Sequence, residues 1–279
     1  MGDLHACRDA LSKIRAKRDE ANDRVLLVNV AIASGDWTSL GSFVEEEWLR
    51  REKRSPEELL RAGQLAHQIG SGRAKVLISG AVARAPDDPK ILIGSYGAAV
   101  AAGWENEQTT TWLERAAALS GEDGPVKKMS LQEVFDRGPE WQQRESRTWE
   151  QLASANMPIF GAAQLLNRTL FELALIPAIA NAEATDPRRR ALIYAYSGAR
   201  GFIDGMAKTA AFDPTSLLTL GLVGAIDWVF AQFDKVVVPH ATLGWLFEEK
   251  QRVQFHQPSK YVDARALKRL IDSKFLQKI

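Results

Sequence analysis

The sequence predicts a mainly α-helical fold, a helical array followed by a small, incomplete α/β unit, and two observations predict it. Apolar or Ala-rich helical stretches end at Gly35, Gly70 and Gly103, 35 and then 33 residues apart. Glycine just past a helix supplies the left-handed residue that closes the last turn, so a recurrence near 34 residues reads as repeated helix pairs. The second observation is the order strand, acid, helix, strand, helix between Ala207 and Phe247. Open parallel sheets gather ligands outside the carboxyl ends of their strands, and that is where this order places its acid.

Composition sets the outer limits. The chain has 279 residues, 46% hydrophobic and 25% charged, enough for one large or two ordinary globular domains. A net charge of +1 gives no global field toward nucleic acid or anionic lipid, so any such contact must be a local patch. The single cysteine, Cys7, excludes an internal disulfide and a cysteine-based zinc site, and with no signal-like start it predicts a reducing cytoplasm. The apolar run from Leu217 to Ile226 stops at Asp227, too short to span a bilayer.

In chain order, residues 1–23 are charged and helix-permissive and read as a solvated leading helix. Residues 24–123 hold the repeats. Ser55-Pro56-Glu57-Glu58 is a helix start with a capping serine, a first-position proline and early acids. Ala62, Ala66, Ala74, Ala81, Ala99 and Ala116 let neighbouring helices approach closely. In period and two-helix units this stretch resembles the tetratricopeptide repeat family. The resemblance implies a curved stack whose surface binds a protein or peptide, the alternative being that the repeats only support one another.

Residues 124–198 read as a helical connector block. Pro125, Gly138-Pro139 and mixed charge predict one or two short helices up to Arg147, with Trp141 and Trp149 as packing anchors against the repeats. A second helical stretch carries Phe160, Leu165, Leu166, Leu170, Leu173 and Ile176, is ended or kinked by Pro177, and has Asn167 as a buried amide. Arg188-Arg189-Arg190 reads as a solvated helix start rather than a phosphate contact. Ile193–Arg200 alternates like a strand, and the domain boundary is placed near Ala199.

Residues 199–279 form the α/β unit. Ala210-Ala211-Phe212 is the first strand, Asp213 caps a helix with Pro214 at its first position, and that helix runs from Leu217 to Phe233. Val236-Val237-Val238 predicts a buried strand stopped by Pro239, and helix returns from Ala241 to Arg252. Ser259 is expected to cap a further helix through Ile271, and Phe275-Leu276 to begin a third strand.

The stretch Ala207–Phe247 resembles the start of a PIN domain, the metal-dependent ribonuclease fold, as it occurs in large bacterial proteins with helical repeats. The resemblance implies that Asp213 is the first catalytic and metal-binding acid, for Mg²⁺ or Mn²⁺, acting on RNA. A second acid is expected near Gly244 or Trp245, and neither is acidic. Glu248 shares that helix face about 6 Å further along and is the candidate second catalytic and metal ligand. The remaining family acids are expected past Ile279, in a longer chain. Thr215 and Ser216 stand at the same helix start, where a phosphate can bind. Asp204, Asp234, His240 and His256 are read as loop, capping or surface residues. The resulting expectation is a PIN-type, nuclease-related protein whose repeats recruit a partner, with weak or absent hydrolysis by this chain alone. The alternative is a non-catalytic scaffold.

Overall fold

The computed structural model describes residues 3–190, 207–239, 241–252 and 258–273. The expected strand at 193–200, the boundary near Ala199, Asp204, His240, His256 and the expected third strand lie outside the described residues. The fold is mainly α, with one two-stranded parallel sheet among the described residues. The chain divides into two compact units, residues 1–129 with 254–279, and residues 130–253.

The first unit is a run of helices in which sequence neighbours pack together. They are α1 (Leu4–Arg15), α2 (Ala21–Ser34), α3 (Ser39–Leu49), α4 (Pro56–Gln68), α5 (Ala74–Arg84), α6 (Pro89–Ala102) and α7 (Glu107–Leu119). Gly35, Gly70 and Gly103 follow α2, α4 and α6 at φ of 75°, 73° and 71°, the left-handed value that their recurrence predicts. Ser55 and Glu58 form the reciprocal cap at the start of α4. The six small residues are all buried, and at Gly63 a Cβ would stand 2.6 Å from Ile78 Cγ1, so α4 and α5 meet almost backbone to backbone. Leu40, Leu59, Leu77, Ile78, Ile91 and Leu92 are at most 2% exposed. At about 1.5–3 kcal/mol for each fully buried side chain, this row is the main stabilising term of the unit.

The leading segment is mostly exposed but is anchored along one face. Asp3 caps α1, Leu11 is buried, and α1 packs on α2. Arg15 pairs with Glu46 at 2.7 Å and Arg18 with Asp23 at 2.7 Å. Behind them lies a buried ion network that sequence reading missed. The Arg24 guanidinium, 5% exposed, is shared by Asp19, Glu47 and Glu58, and Arg54, 4% exposed, binds Glu47 and Asp19. Helix α14 (Pro258–Asp272) packs on α6 in this unit, and because it begins at Pro258, Ser259 is its second residue rather than its cap.

The second unit holds α8 (Leu131–Ala153), α9 (Ile159–Leu165), α10 (Leu170–Glu183), β1 (Thr209–Ala211), α11 (Pro214–Leu222), α12 (Ile226–Phe230), β2 (Lys235–Val237) and α13 (Thr242–Arg252). The expected short connector helices are one 23-residue helix that runs through Pro139. Its start is secured by the Ser130–Glu133 capping box. The helix expected to continue past Leu166 breaks instead at Asn167, which is exposed and left-handed at φ 51°. Asparagine tolerates that conformation better than other side chains, so Asn167 is a corner and not a buried amide. Pro177 is accommodated within α10, which continues to Glu183. The helix expected over Leu217–Phe233 is two, separated at Gly224 (φ 67°). Val236 and Val237 are half-buried and Val238 is 39% exposed, so the strand expected to be buried is only partly covered. Among the described residues no single helix is long and apolar enough to cross a membrane.

Candidate functional site

The site begins with strand register. β1 and β2 are parallel, with Thr209 opposite Lys235 and Ala211 opposite Val237. Phe212 N donates to Val237 O at 2.9 Å, which carries the pairing one residue beyond β1. Both strands therefore end at the same edge, Asp213 on one and Pro239 on the other. Phe212 packs against Phe230 and Phe233, with ring centroids 5.1 and 6.0 Å away, which anchors the residue before Asp213.

Asp213 is half-buried and its Oδ1 accepts from Ser216 N at 2.8 Å, so it caps α11 as its sequence position predicts. Its other oxygen takes no hydrogen bond among the described residues. Glu248 is exposed in the second turn of α13, six residues past Thr242 and therefore about 9 Å along the axis from the helix start. Trp245, near which a second acid is expected, is turned inward and meets Phe160 edge-on at 5.6 Å. Among the described residues no group of three or more His, Cys, Asp or Glu is placed to hold a metal.

Thr215, noted in the sequence at the α11 start, has a counterpart, Thr242, that sequence reading missed, and a second missed feature lies further along α13. Thr215 and Thr242, 1% and 2% exposed, stand at the starts of α11 and α13, and their hydroxyls have no hydrogen-bond partner among the described residues. Buried hydroxyls of this sort are ordinarily satisfied by water or a ligand. The second is Glu249. The run Glu248-Glu249-Lys250 reads as a solvated face, yet Glu249 is 2% exposed and accepts from Phe171 N at 3.2 Å, at the start of α10. A carboxylate is favoured there by the unpaired N–H groups of the helix terminus.

The helical half of this unit is built on Leu152, Ile159, Ala162, Ala163, Leu170, Leu173 and Ala174. Trp149, expected to face the repeats, packs here, while Trp141 is 49% exposed. The axes of α9 and α10 turn by 117°, a helix-turn-helix corner with Asn167 in the turn. Beside α8 a cleft of about 450 Å³ is lined by Glu140, Gln143, Arg144, Arg147 and Gln151. A second, of about 400 Å³, joins Trp141 and Arg144 to Asn167 and Arg168. Arg168 lies 3.8 Å from Glu145, so its charge is partly spent.

Comparison with known proteins places this helical block. A family model described as HTH_upstream_double_PIN matches residues 131–200, about a quarter of the chain. No curated protein and no solved structure matches the chain. The matched stretch takes in α8, the 117° corner and α10, so this part of the chain is similar to a PIN-related helix-turn-helix family.

Proposed function

We propose that the chain is a PIN-type, nuclease-related cytoplasmic protein whose helical stack recruits a partner protein or peptide, with weak or absent RNA phosphodiester hydrolysis of its own. The observation that carries this reading is the common edge of β1 and β2, with Asp213 at the end of the first strand and α13 springing from the second. It lies in the unit whose helical half resembles the PIN-related family. The buried hydroxyls of Thr215 and Thr242 support a ligand at that edge.

The acids explain why hydrolysis is weak. Asp213 and Glu248 are the two acids that would hold Mg²⁺ or Mn²⁺ at this edge, and no third acid joins them there among the described residues. The two carboxylates also stand on different helices, Glu248 in the second turn of its own. These residues do not complete a metal shell, and no chemical step is derived through one. RNA contact rests instead on the cleft beside α8. Arg144 and Arg147 suit phosphates, and exposed Trp141 offers a face on which a base can stack.

Filter binding to a single-stranded RNA of 20 nucleotides tests this reading. Arg144→Ala with Arg147→Ala is expected to weaken binding about fivefold and flatten its salt dependence. Unchanged binding refutes the RNA assignment. A non-catalytic scaffold is the second reading, favoured by the structural task Asp213 already performs in capping α11. Slow Mn²⁺-dependent cleavage that disappears in Asp213→Asn decides for the nuclease, because asparagine keeps the cap and loses the charge.

A further inference from the structure

Helix α8 is covered along only part of its length. Its second half packs into the core of the second unit through Trp149 and Leu152. Its first half does not: Leu131 is 78% exposed, Phe135 72% and Val134 39%. These residues fall at i, i+3 and i+4 and are followed by Gly138 at i+7, so all four share one face of the helix. A Cβ at Gly138 would meet nothing within 4 Å, which leaves a gap in that face where a neighbouring side chain can enter.

We propose that this face pairs with the same face of a second copy of the chain, antiparallel, about a two-fold axis between Val134 and Phe135. One register satisfies shape and charge together. With Val134 against Phe135 of the second copy, Leu131 comes opposite Gly138 of that copy and enters the gap its missing side chain leaves. The same register brings Glu133 within one residue, about 1.5 Å along the axis, of Arg137 of the second copy, because both border the same side of the stripe. Two-fold symmetry repeats each of these contacts. A foreign helix meets both demands only by coincidence, whereas a second copy meets them through its own sequence.

Charge fixes the direction of the pair. Within one chain Glu133 accepts from Ser130 N at 2.6 Å and stands in electrostatic reach of Arg137, one turn on. The antiparallel pair joins two such couples into a cluster of four charges with opposite signs across the interface. A parallel pair sets Glu133 beside Glu133 and Arg137 beside Arg137, an arrangement that repels. Area sets the strength. Leu131, Val134 and Phe135 expose on the order of 350 Å² of apolar surface, within the roughly 300–600 Å² of functional patches on monomers. Doubled across the axis and extended by the stems of Gln132 and Arg137, this stays at or below the roughly 1,200 Å² where stable interfaces begin. Dissociation is therefore expected in the micromolar range. Trp141 and Arg144 lie past Gly138, beyond the first residue of the facing helix, so the RNA reading of their cleft does not depend on this pairing.

The test is sedimentation velocity on the full chain from about 1 to 200 µM, where a monomer–dimer equilibrium with a Kd of roughly 10–100 µM is expected. Phe135→Glu, at an exposed position that leaves the fold intact, is expected to leave only monomer. Arg137→Glu is expected to weaken dimerisation at least about fivefold. Far-ultraviolet circular dichroism checks that each variant is folded. Orientation is read in a Cys7→Ser background, which removes the single cysteine. Leu131→Cys chains mixed with Gly138→Cys chains are expected to cross-link through a short bismaleimide. Neither variant is expected to do so alone, because like positions lie about 10 Å apart along the axis. Monomer at every concentration, or a dimer indifferent to Phe135→Glu, overturns the proposal. So does a mixture that fails to cross-link, or cross-linking by either variant alone.

Discussion

Replacing Arg24 with methionine is the most severe test of how the first unit holds together. The guanidinium is 5% exposed and satisfies Asp19, Glu47 and Glu58 at once. Methionine fills much of the same space, so packing changes little and the charges left behind decide the outcome. Asp19, 35% exposed and still bound by Arg50 and Arg54, loses little. Glu47, 3% exposed, keeps Arg54 alone, and Glu58, 14% exposed, loses its ionic partner. Breaking a buried pair from one side costs about 3–5 kcal/mol, and the partial compensation by Arg54 places Arg24→Met near the lower end, about 3 kcal/mol. With a urea slope of about 2 kcal/mol/M, the midpoint falls by about 1.5 M. Arg24→Met combined with Glu47→Met removes both charges and is expected to be the more stable of the two variants. Urea unfolding followed by circular dichroism measures this cycle. A loss below 1 kcal/mol for Arg24→Met, or strict additivity in the double variant, refutes the view that the network is a buried, coupled unit.

Acid unfolding follows from the same cluster. Burial alone would raise the Asp19 carboxyl, but hydrogen bonds from Arg54 and Arg24 outweigh it and hold the group well below its ordinary range. The stability it contributes is present above its unfolded value of 3.8 and is lost as pH falls toward its folded value. Glu47 runs the other way, raised by burial against the pull of Arg54 and Arg24, so its effect on stability worsens as pH climbs above its unfolded value of 4.5. Glu47→Gln is expected to flatten that upper trend while leaving the loss below about pH 4, measured as urea midpoints from pH 3 to 7. Gly70→Ala is expected to destabilise by about 1 kcal/mol, because φ is 73° although no atom lies within 4 Å of the added methyl. Gly97→Ala, exposed inside α6 with equal room, is expected to stabilise by up to about 1 kcal/mol, and thermal unfolding compares the pair. In the second unit, Glu249→Leu is expected to cost about 1–3 kcal/mol through the stranded Phe171 N–H, with Glu249→Gln close to the parent in the same assay.

Local stereochemistry was the part of this fold legible in the sequence. Gly35, Gly70 and Gly103 stood out because a left-handed residue favours glycine, and Ser55 and Asp213 because a helix start needs an acceptor. The valine run marked a strand, and an acid followed by proline after the preceding alanines marked the end of its neighbour. What stayed hidden depended on tertiary context. Gly138-Pro139 and alternating charge suggested a broken connector, yet α8 runs through them. Asn167 turns the chain where glycine would have announced the corner. Arg24, Glu47 and Glu249 look like surface charge until their partners, drawn from other helices, are known. At the candidate site the position of Asp213 was readable from order alone. The inward turn of Trp245 and the orphaned hydroxyls of Thr215 and Thr242 were not, because both depend on what each helix packs against.

Leu218 of α11 and Trp245 of α13 close over the same hydrophobic cluster as α8, α9 and α10. Any excision of residues 207–252 would therefore carry away the lid of that cluster and leave Phe160 and Leu166 facing solvent. A recombinant piece beginning after α10 would enter solution with Trp245 bare and is expected to aggregate. The smallest useful fragment of this region starts no later than Ser130.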